Sequence, residues 1–342
     1  MMRLPLFEFR APRTLDEAAR ILDGEGPTAM PLAGGTDLLP NMKRRQQVPK
    51  TLLSLRHIEE LHGVQLDESG ARLGACVTLA DIASDARLRN GLTALAQAAS
   101  FVATPQIRNM ATLGGNLCLD TRCNYYDQNY EWRKAINFCL KKDGDTCWVA
   151  PGSPKCMAVS STDSAPALIA LGARVRLVSR TGERELALAD LYNADGQHYL
   201  TRRPNEILAE ILVDSRHGWK STYWKLRRRG SFDFPVLSVA VAARIGKSGV
   251  VEEARIVIGS TASRPLVAGE ASAFLAEHQL TPEIIAEAAA RAARAAKPLD
   301  NTDFDMTWRK KVTGEFVSYA LRELRGDDVS AERNSLTHLH GR

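Results

Sequence analysis

The sequence predicts an α+β protein with two domains. Its 342 residues are enough for two domains of ordinary size, and 44% hydrophobic with 25% charged residues is the balance of a folded globular protein, which excludes a mainly disordered chain. Short helical and strand patterns alternate through the first hundred residues. The polar stretch 202–222 contains Pro204 and Gly218, and we expect the domain boundary near His217 within it.

The first elements can be assigned from caps and short apolar runs. Thr14 is expected to cap a helix that runs through Asp23, because Asp16 and Glu17 stand in the first turn, where the helix dipole favours acids. Further elements of the first hundred residues are strands at 29–32, 51–55 and 72–76, a helix from residue 79 capped by Thr78, and an alanine-rich helix at 90–103 that ends before Pro105.

The second half of the chain resumes this pattern with a helix at 165–172 and strands at 174–179 and 206–213. Beyond the expected boundary, strands are predicted at 238–245 and 254–258. Thr281 and Pro282 form a usual helix start, and that helix is expected to end near Ala296. A last helix at 308–325 has an apolar face, and residues 327–342 are expected to form a frayed polar tail.

Charge and hydropathy exclude several classes of function. The 45 basic and 40 acidic residues leave a net charge of +5, and the basic runs 43–45 and 227–229 are short, so no nucleic-acid partner is expected. No apolar stretch reaches eighteen residues and residues 1–12 lack a signal pattern, so we expect a cytoplasmic protein with no membrane segment. Six cysteines in such a protein indicate thiols or metal ligands rather than disulfides.

Two glycine pairs each follow an apolar run. The first lies in Ala33-Gly34-Gly35-Thr36-Asp37 and the second in Thr112-Leu113-Gly114-Gly115-Asn116. Paired glycines let a ligand approach the backbone closely, and successive N–H groups of such a turn can bind an anion. Each pair alone is more typical of a plain tight turn, and neither fits the Rossmann or P-loop pattern. Two pairs in one chain favour a pyrophosphate site.

Residues 120–160 interrupt the alternation of helices and strands. They hold 6 of the 21 aromatic residues and four cysteines with the spacing Cys123-x15-Cys139-x7-Cys147-x8-Cys156. We interpret them as an ordered insertion held by something other than regular secondary structure. Four thiolates suit zinc or an iron–sulfur cluster, and the spacing favours neither, because the close pairs typical of zinc and the ferredoxin run are both absent from the sequence.

Five motifs in order resemble those of the molybdenum hydroxylase family, between about residue 5 and residue 325. The segments 31–39 and 111–116 are similar to its two FAD pyrophosphate loops, and Asp163-Ser164-Ala165-Pro166-Ala167-Leu168 resembles its Asp-x-x-Pro-Ala-Leu segment. Glu206-Ile207-Leu208 and Tyr223-Trp224-Lys225, followed by Asp233-Phe234-Pro235, resemble two later motifs. The family includes xanthine dehydrogenase and the medium subunit of carbon monoxide dehydrogenase.

This resemblance implies a specific domain organisation. A two-lobed FAD-binding domain would occupy residues 1–217, with lobes at about 1–57 and 58–217 and the cysteine-rich insert at about 120–160. A smaller C-terminal α/β domain would occupy residues 218–326, before the polar tail. The flavin would lie between the two lobes.

The resemblance also implies roles for individual residues. The first loop would hold the FAD pyrophosphate, and the second would hold phosphate and ribityl oxygens. Asp163 would accept a hydrogen bond from a ribityl or ribose hydroxyl, Leu208 would pack near the isoalloxazine or adenine, and Lys225 would approach the polar edge of the flavin, where a positive charge stabilises the reduced ring. The complete expected FAD site is Pro31, Leu32, Ala33, Gly34, Gly35, Thr36, Asp37, Leu38, Thr112, Gly114, Gly115, Asn116, Asp163, Leu208 and Lys225.

The insert resembles that of one branch of the family, the 4-hydroxybenzoyl-CoA reductases. Here 46 residues separate Asn116 from Asp163, a far longer connection than the family normally has. The flavoprotein subunit of that branch carries an extra [4Fe-4S] cluster on such an insert. The resemblance therefore implies that the cluster ligands are Cys123, Cys139, Cys147 and Cys156, while Cys118 is expected to pack in the interior.

In this family the flavoprotein works with two partner subunits. A large subunit carries the molybdenum cofactor and a small one carries two [2Fe-2S] clusters, in a heterotrimer expected to dimerise. Electrons would pass from ferredoxin through [4Fe-4S] and FAD to [2Fe-2S] and molybdenum, where 4-hydroxybenzoyl-CoA loses its phenolic hydroxyl to give benzoyl-CoA. No residue of this chain is expected to be catalytic.

Three alternatives stay open at this point. The chain could be the flavoprotein subunit of a related aromatic or purine hydroxylase with a zinc-stapled insert. It could be a zinc-stapled binding module, which only the two short basic runs favour. A self-contained flavin oxidase is disfavoured, because no His or Tyr stands in a motif for covalent flavin attachment or substrate deprotonation.

Overall fold

The computed structural model describes residues 3–337, and its N-terminal part is a small parallel sheet with two helices. The elements are β1 (Glu8–Arg10), α1 (Leu15–Glu25), β2 (Ala29–Leu32), α2 (Leu38–Lys43) and β3 (Thr51–Ser54). The strand order is β1-β3-β2. As predicted, the Thr14 hydroxyl caps α1 by accepting a hydrogen bond from the Glu17 backbone N–H at 3.2 Å.

A five-stranded antiparallel sheet forms the next unit. Its strands are β4 (Val64–Asp67), β5 (Gly70–Gly74), β6 (Arg174–Ser179), β7 (Gly182–Ala187) and β8 (Ile207–Asp214), in the order β4-β5-β8-β6-β7. Between β5 and β6 the chain forms α3 (Leu79–Ser84), α4 (Ala86–Gly91), α5 (Thr93–Ser100), α6 (Pro105–Arg108), α7 (Leu113–Leu117), α8 (Tyr130–Ala135) and α9 (Ser164–Ala170). Apart from α8, these helices contribute apolar side chains to a single core that they share with one face of the sheet.

A second antiparallel sheet, of four strands, follows the first. It comprises β9 (Trp219–Leu226), β10 (Leu237–Ile245), β11 (Val251–Gly259) and β12 (Leu266–Val267), in the order β12-β11-β10-β9. The last helices are α10 (Gly269–Leu275), α11 (Pro282–Ala295), α12 (Met306–Arg325) and α13 (Ser330–Thr337). Single 3-10 turns lie at Gly26–Thr28, Glu59–Leu61 and Leu188–Leu191. No helix within residues 3–337 combines the length and hydrophobicity needed to cross a bilayer.

Strand β10 is buried on both faces, which explains its continuous apolar sequence. Ala240 and Ala242 belong to the core that contains α5 and α9, whereas Val239 and Val241 belong to a second core built with α11 and α12. A strand covered on both sides has no solvent-facing positions, so the usual alternation disappears. The four-stranded sheet is therefore a layer packed between the helices of the second unit and the C-terminal helices.

The insert at 120–160 contains little regular structure, as its sequence predicts. Its one described helix is α8, and an isolated bridge joins Arg122 to Val159 at the base of the insert. Three of its cysteines, Cys123, Cys139 and Cys156, pack in a small core of their own with Tyr126 and Ala158. The insert is thus an ordered loop that is closed at its base and packed around cysteine side chains.

Two local predictions were wrong. The single helix expected at 90–103 is two helices, because the chain turns at Leu92 (φ −127°, ψ 54°) after Gly91, a residue with low helix propensity. Part of the expected frayed tail is also folded. Val329 is buried, and the Arg333 guanidinium lies 4.1 Å from the centre of the Trp224 ring, so α13 folds back onto β9. The remaining tail residues, 338–342, lie outside the described part of the chain.

Candidate functional site

Both glycine loops line one cleft with a volume of about 350 Å³, within the range of ligand pockets. The first loop lies between β2 and α2, and the second forms the start of α7. Fourteen of the fifteen residues expected to form the FAD site line this cleft: Pro31, Leu32, Ala33, Gly34, Gly35, Thr36, Asp37, Leu38, Thr112, Gly114, Gly115, Asn116, Asp163 and Leu208. The exception is Lys225, which lies behind the cleft wall.

The glycines allow the loops to pack closely. A Cβ atom on Gly34 would overlap the backbone carbonyl oxygen of Met110, just before the second loop. A Cβ atom on Gly114 would lie 2.7 Å from the side chain of Ala75, and Gly35 has a φ of +71° that favours glycine. The two loops therefore meet backbone to backbone, and this close approach by itself requires the glycines.

Asn116 is held in one orientation by the segment that precedes α9. Its side-chain oxygen accepts hydrogen bonds from the Thr162 hydroxyl (2.9 Å) and from the Ser164 backbone N–H (3.0 Å). The Thr112 hydroxyl accepts from the Gly115 N–H at 3.1 Å and so shapes the turn at the start of α7. The second loop is thereby preorganised before any ligand binds.

Asp163 is the cleft residue with the strongest buried partners. Its carboxylate accepts a hydrogen bond from the Tyr223 hydroxyl at 2.6 Å and pairs with the Lys225 ammonium at 3.0 Å. Burial raises the pKa of Asp163, and the positive charge of Lys225 opposes that rise. Lys225 also donates to the Phe101 carbonyl at 3.0 Å, so its ammonium is directed at protein groups. Lys225 does not line the cleft, and its expected contact with the flavin stays a prediction.

Several cleft residues were missed by the sequence analysis. Arg122 forms an ion pair with Asp37 of the first loop, donates to the Asn41 side chain at 3.0 Å, and lies 4.7 Å from the centre of the Phe234 ring. Asp120, Tyr199 and Arg202 also line the cleft. An acidic and a basic residue shortly after the second loop were the sequence signal that could have identified Asp120 and Arg122.

The structure places the two short basic runs, 43–45 and 227–229, near other groups of the protein. Arg44 lines the cleft, and the Arg227 guanidinium lies 5.5 Å from the centre of the Phe101 ring. Arg228 pairs with Asp303 at 3.6 Å, and Arg229 pairs with Asp233. Residues 227–229 therefore have intramolecular contacts, and Arg44 of the other run faces the cleft.

The four insert cysteines are buried, and none forms a disulfide. Burial raises the pKa of Cys123 to about 12 and that of Cys156 to about 11. The thiols are near enough to influence each other, since Cys139 and Cys156 both act on Cys123, and Cys139 and Cys147 both act on Cys156. The Cys123 and Cys156 thiols therefore stay protonated near neutral pH unless a metal displaces their protons.

The described side chains do not converge on a single ion. Over residues 3–337, no group of three or more His, Cys, Asp or Glu side chains is arranged to hold a metal ion. The donor set fits an iron–sulfur centre in its chemistry, because all four insert thiols are free and buried, three of them in one small core. Cys118 packs against the core of the second unit, as expected.

The fold and the cleft define a nucleotide-binding flavoprotein built on two glycine loops, and comparisons with known proteins agree. The FAD binding domain in molybdopterin dehydrogenase matches residues 5–213, and the CO dehydrogenase flavoprotein C-terminal domain matches residues 221–324. The chain therefore belongs to the FAD-binding subunits, or medium chains, of the molybdenum hydroxylase family and is an oxidoreductase subunit.

Individual relatives share this organisation. The aldehyde oxidoreductase FAD-binding subunit PaoB of Escherichia coli K12 is 33% identical over 254 residues, which cover 70% of this chain and 76% of PaoB. The carbon monoxide dehydrogenase medium chain of Hydrogenophaga pseudoflava is 28% identical, over 93% of this chain and 96% of that chain. A solved structure of carbon monoxide dehydrogenase from the same organism superimposes with a TM-score of 0.77 at 27% identity, covering 95% and 99% of the two chains.

The cleft fits the FAD that this family binds. The first glycine turn can present backbone N–H groups to a diphosphate, whereas the N–H groups of Gly114 and Gly115 in the second turn donate within the protein. The Asn116 and Asp163 side chains can bond to hydroxyl groups. Ile207 and Leu208 supply apolar surface for a ring.

Proposed function

We propose that this chain is the electron-transfer subunit of a 4-hydroxybenzoyl-CoA reductase, with FAD in the cleft and a [4Fe-4S] cluster on Cys123, Cys139, Cys147 and Cys156. The observation that carries the proposal is the group of four buried, unpaired cysteines on an insert that begins at the wall of the flavin cleft. Together the two groups would supply one-electron transfer between a donor and the partner subunits.

A cluster and a zinc ion place different demands on the four thiols. Zinc holds its thiolates at about 2.3 Å, so four zinc ligands must converge tightly. The insert cysteines are close neighbours, yet they do not converge on one ion. A cluster of four irons and four sulfides is larger than one ion and keeps its ligands farther apart.

The path from the insert to the cleft is short in the chain. Cys123 directly follows Arg122, whose side chain pairs with Asp37 in the first glycine loop. The Cys123 backbone N–H donates to Asp127 at 3.2 Å, and Asp127 pairs with Arg122 at 3.3 Å. The same residues therefore position a proposed cluster ligand and one wall of the flavin cleft.

In the proposed FAD site, the first loop holds the diphosphate, and Thr112, Gly115 and Asn116 hold phosphate and ribityl oxygens. Asp163 accepts from a ribityl or ribose hydroxyl, Leu208 packs on a ring, and Lys225 fixes Asp163 from behind. The lining of the cleft supports these assignments.

We further propose the partners and the compartment. A large molybdenum subunit and a small subunit with two [2Fe-2S] clusters would complete the enzyme, and ferredoxin would be the donor; names of relatives such as "medium chain" indicate a complex of several subunits. Unpaired cysteines suit the reducing cytoplasm. In the assembled enzyme, 4-hydroxybenzoyl-CoA, two electrons and two protons would give benzoyl-CoA and water.

A second candidate is the flavoprotein subunit of a related hydroxylase whose insert binds zinc. It is favoured by relatives named nicotinate dehydrogenase FAD-subunit, from Eubacterium barkeri, and xanthine dehydrogenase FAD-binding subunit, from Escherichia coli O157:H7. The two candidates differ in the metal of the insert and in the substrate of the assembled enzyme.

The cluster is tested on the chain purified without oxygen. We expect iron, sulfide and flavin together, with a broad absorbance near 400 nm and an electron paramagnetic resonance signal after reduction. Cys139→Ser should lose iron and keep flavin, whereas Ser153→Ala, at an insert residue that does not line the cleft, should keep both. Stoichiometric zinc in a protein without iron would instead support the second candidate.

The substrate is tested on the complete enzyme. Reduced ferredoxin and 4-hydroxybenzoyl-CoA should give benzoyl-CoA, with nicotinate and xanthine as comparison substrates. Turnover of either comparison substrate without any benzoyl-CoA would reject the reductase assignment.

A further inference from the structure

Lys141 lies on the insert with its ammonium buried among polar groups of the cleft wall. Its side chain is 5% exposed. The ammonium donates to the Asp120 carboxylate at 2.8 Å, to the Thr121 hydroxyl at 2.7 Å and to the Gly196 carbonyl at 2.6 Å. A lysine whose three N–H groups are all directed at protein oxygens is fixed in position.

Two aromatic rings surround the same ammonium. It lies 4.8 Å from the centre of the Tyr126 ring and 5.2 Å from that of Tyr199. Tyr126 belongs to the small core around the cysteines, whereas Tyr199 lines the flavin cleft. The positive charge of Lys141 is therefore enclosed between the insert and the cleft.

Asp120, the acidic partner, stands beside the first glycine loop. Its backbone N–H donates to the Asp37 carboxylate at 3.3 Å, and its own carboxylate accepts from the Gln47 side chain at 3.3 Å and from the Tyr126 hydroxyl at 2.9 Å. Asp37 and Asp120 both line the cleft. Because the FAD diphosphate is anionic, an unpaired Asp120 carboxylate at this position would repel it.

Gly196 connects Lys141 to the backbone of one of the insert cysteines. The Gly196 carbonyl accepts from Lys141, and the Gly196 N–H donates to the Cys156 carbonyl at 2.8 Å. The same lysine thus connects the backbone of Cys156 with the carboxylate of Asp120.

We propose that Lys141 is a positioning residue through which the cysteine insert completes the FAD site. It fixes Asp120 and cancels its charge next to the diphosphate, so the affinity for FAD depends on a side chain that the insert supplies. This inference rests on FAD binding by the chain and not on the identity of the metal.

The test measures the dissociation constant of FAD for the deflavinated full chain by flavin fluorescence. Lys141→Met should raise it about tenfold or more, and Lys141→Arg, which keeps the charge, should restore most of the affinity. Lys142→Met is the matched control, because Lys142 is more exposed and pairs with Asp143. It should leave the dissociation constant of FAD unaltered.

A double variant separates charge from shape. Lys141→Met with Asp120→Asn removes both charges, so it should bind FAD more tightly than Lys141→Met alone. Unchanged FAD affinity in Lys141→Met, or a double variant that is as weak as the single one, would overturn the proposal. Misfolding of both variants would also overturn it, because Lys141 would then be needed for folding rather than for the charge at Asp120.

Iron is counted in the same preparations. A parent chain without iron would reject the cluster assignment and leave the FAD measurement valid, so the two proposals fail separately.

Discussion

The Lys225 ammonium lies 3.0 Å from a carboxylate oxygen of Asp163, and neither side chain is more than 3% exposed. Asp163 lines the cleft, whereas Lys225 approaches it from strand β9. Burial lowers the pKa of Lys225, and the adjacent carboxylate opposes that change. Strand β9 of the four-stranded sheet therefore contacts this cleft residue through two buried side chains, Lys225 and Tyr223.

Replacing Lys225 tests this relationship. Lys225→Met leaves the Asp163 carboxylate buried without its cation, so we expect a loss of about 3–5 kcal/mol in the free energy of unfolding and weaker FAD binding. Denaturant unfolding and flavin fluorescence measure the two effects. Lys220→Met, on the same strand at an exposed position, is the control and should change both by little. Equal effects of the two variants would show that the buried pair has no special role.

The close approach of the glycine loops gives a second prediction. Gly34→Ala places a Cβ where the Met110 carbonyl oxygen lies, so the loops must separate and FAD binding should be largely lost. Gly63→Ala is the matched control, because nothing lies within 4 Å of its added Cβ. The dissociation constant of FAD is measured for both variants. Tight binding by Gly34→Ala would mean that the loops adapt at little cost.

Stability at low pH should depend on Glu206. Its carboxylate pairs with Arg184 at 2.7 Å. Burial raises the pKa of Glu206, but the hydrogen bonds and positive charges of Arg184 and Arg203 together outweigh burial and hold that pKa below its ordinary value of 4.5. The unfolded chain therefore binds this proton more readily than the folded chain does. The contribution to stability is complete above pH 4.5 and is lost as the pH falls through the lower folded pKa.

Glu206→Gln removes that titration. Its free energy of unfolding should be lower than that of the parent near neutral pH, and the difference should shrink as the pH falls below 4.5. Denaturant unfolding at a series of pH values measures this, with Glu183→Gln, at a half-exposed side chain, as the control. A difference that stays constant over the acid range would contradict the assignment.

Arg309 should be the most important arginine of the C-terminal helices for stability. It is fully buried, and its guanidinium donates to the carbonyls of Val236 and Leu299 at 3.0 Å and to that of Ser260. Burial lowers its pKa to about 10. Arg309→Met leaves the buried Val236 and Ser260 carbonyls without this donor, whereas the Leu299 carbonyl keeps the Asn301 N–H at 2.8 Å. We expect a loss of about 3 kcal/mol in the free energy of unfolding.

A surface arginine provides the comparison for Arg309. Arg244 pairs with Glu252 at 2.8 Å, but both side chains are half exposed. Arg244→Met should therefore cost less than about 1 kcal/mol. A similar loss of stability in the two variants, measured by denaturant unfolding, would contradict the role assigned to Arg309.

Local sequence signals predicted much of the fold. Thr14 and Thr281 each identified a helix start, because a capping hydroxyl and its helix lie next to each other in the chain. Such local signals failed where residues close in the chain do not determine the structure. The docking of Arg333 on Trp224 depends on packing between segments that lie far apart in the chain.

The sequence by itself determined the two glycine loops, the group of cysteines and the order of motifs that identifies the family, because each is encoded within a short segment. Only the tertiary structure decided that Lys225 pairs with Asp163, 62 residues away, and that Arg122 and Lys141 join the insert to the cleft wall. Such contacts bring together charges from separate segments, and burial selects their partners, so neither spacing nor composition reveals them.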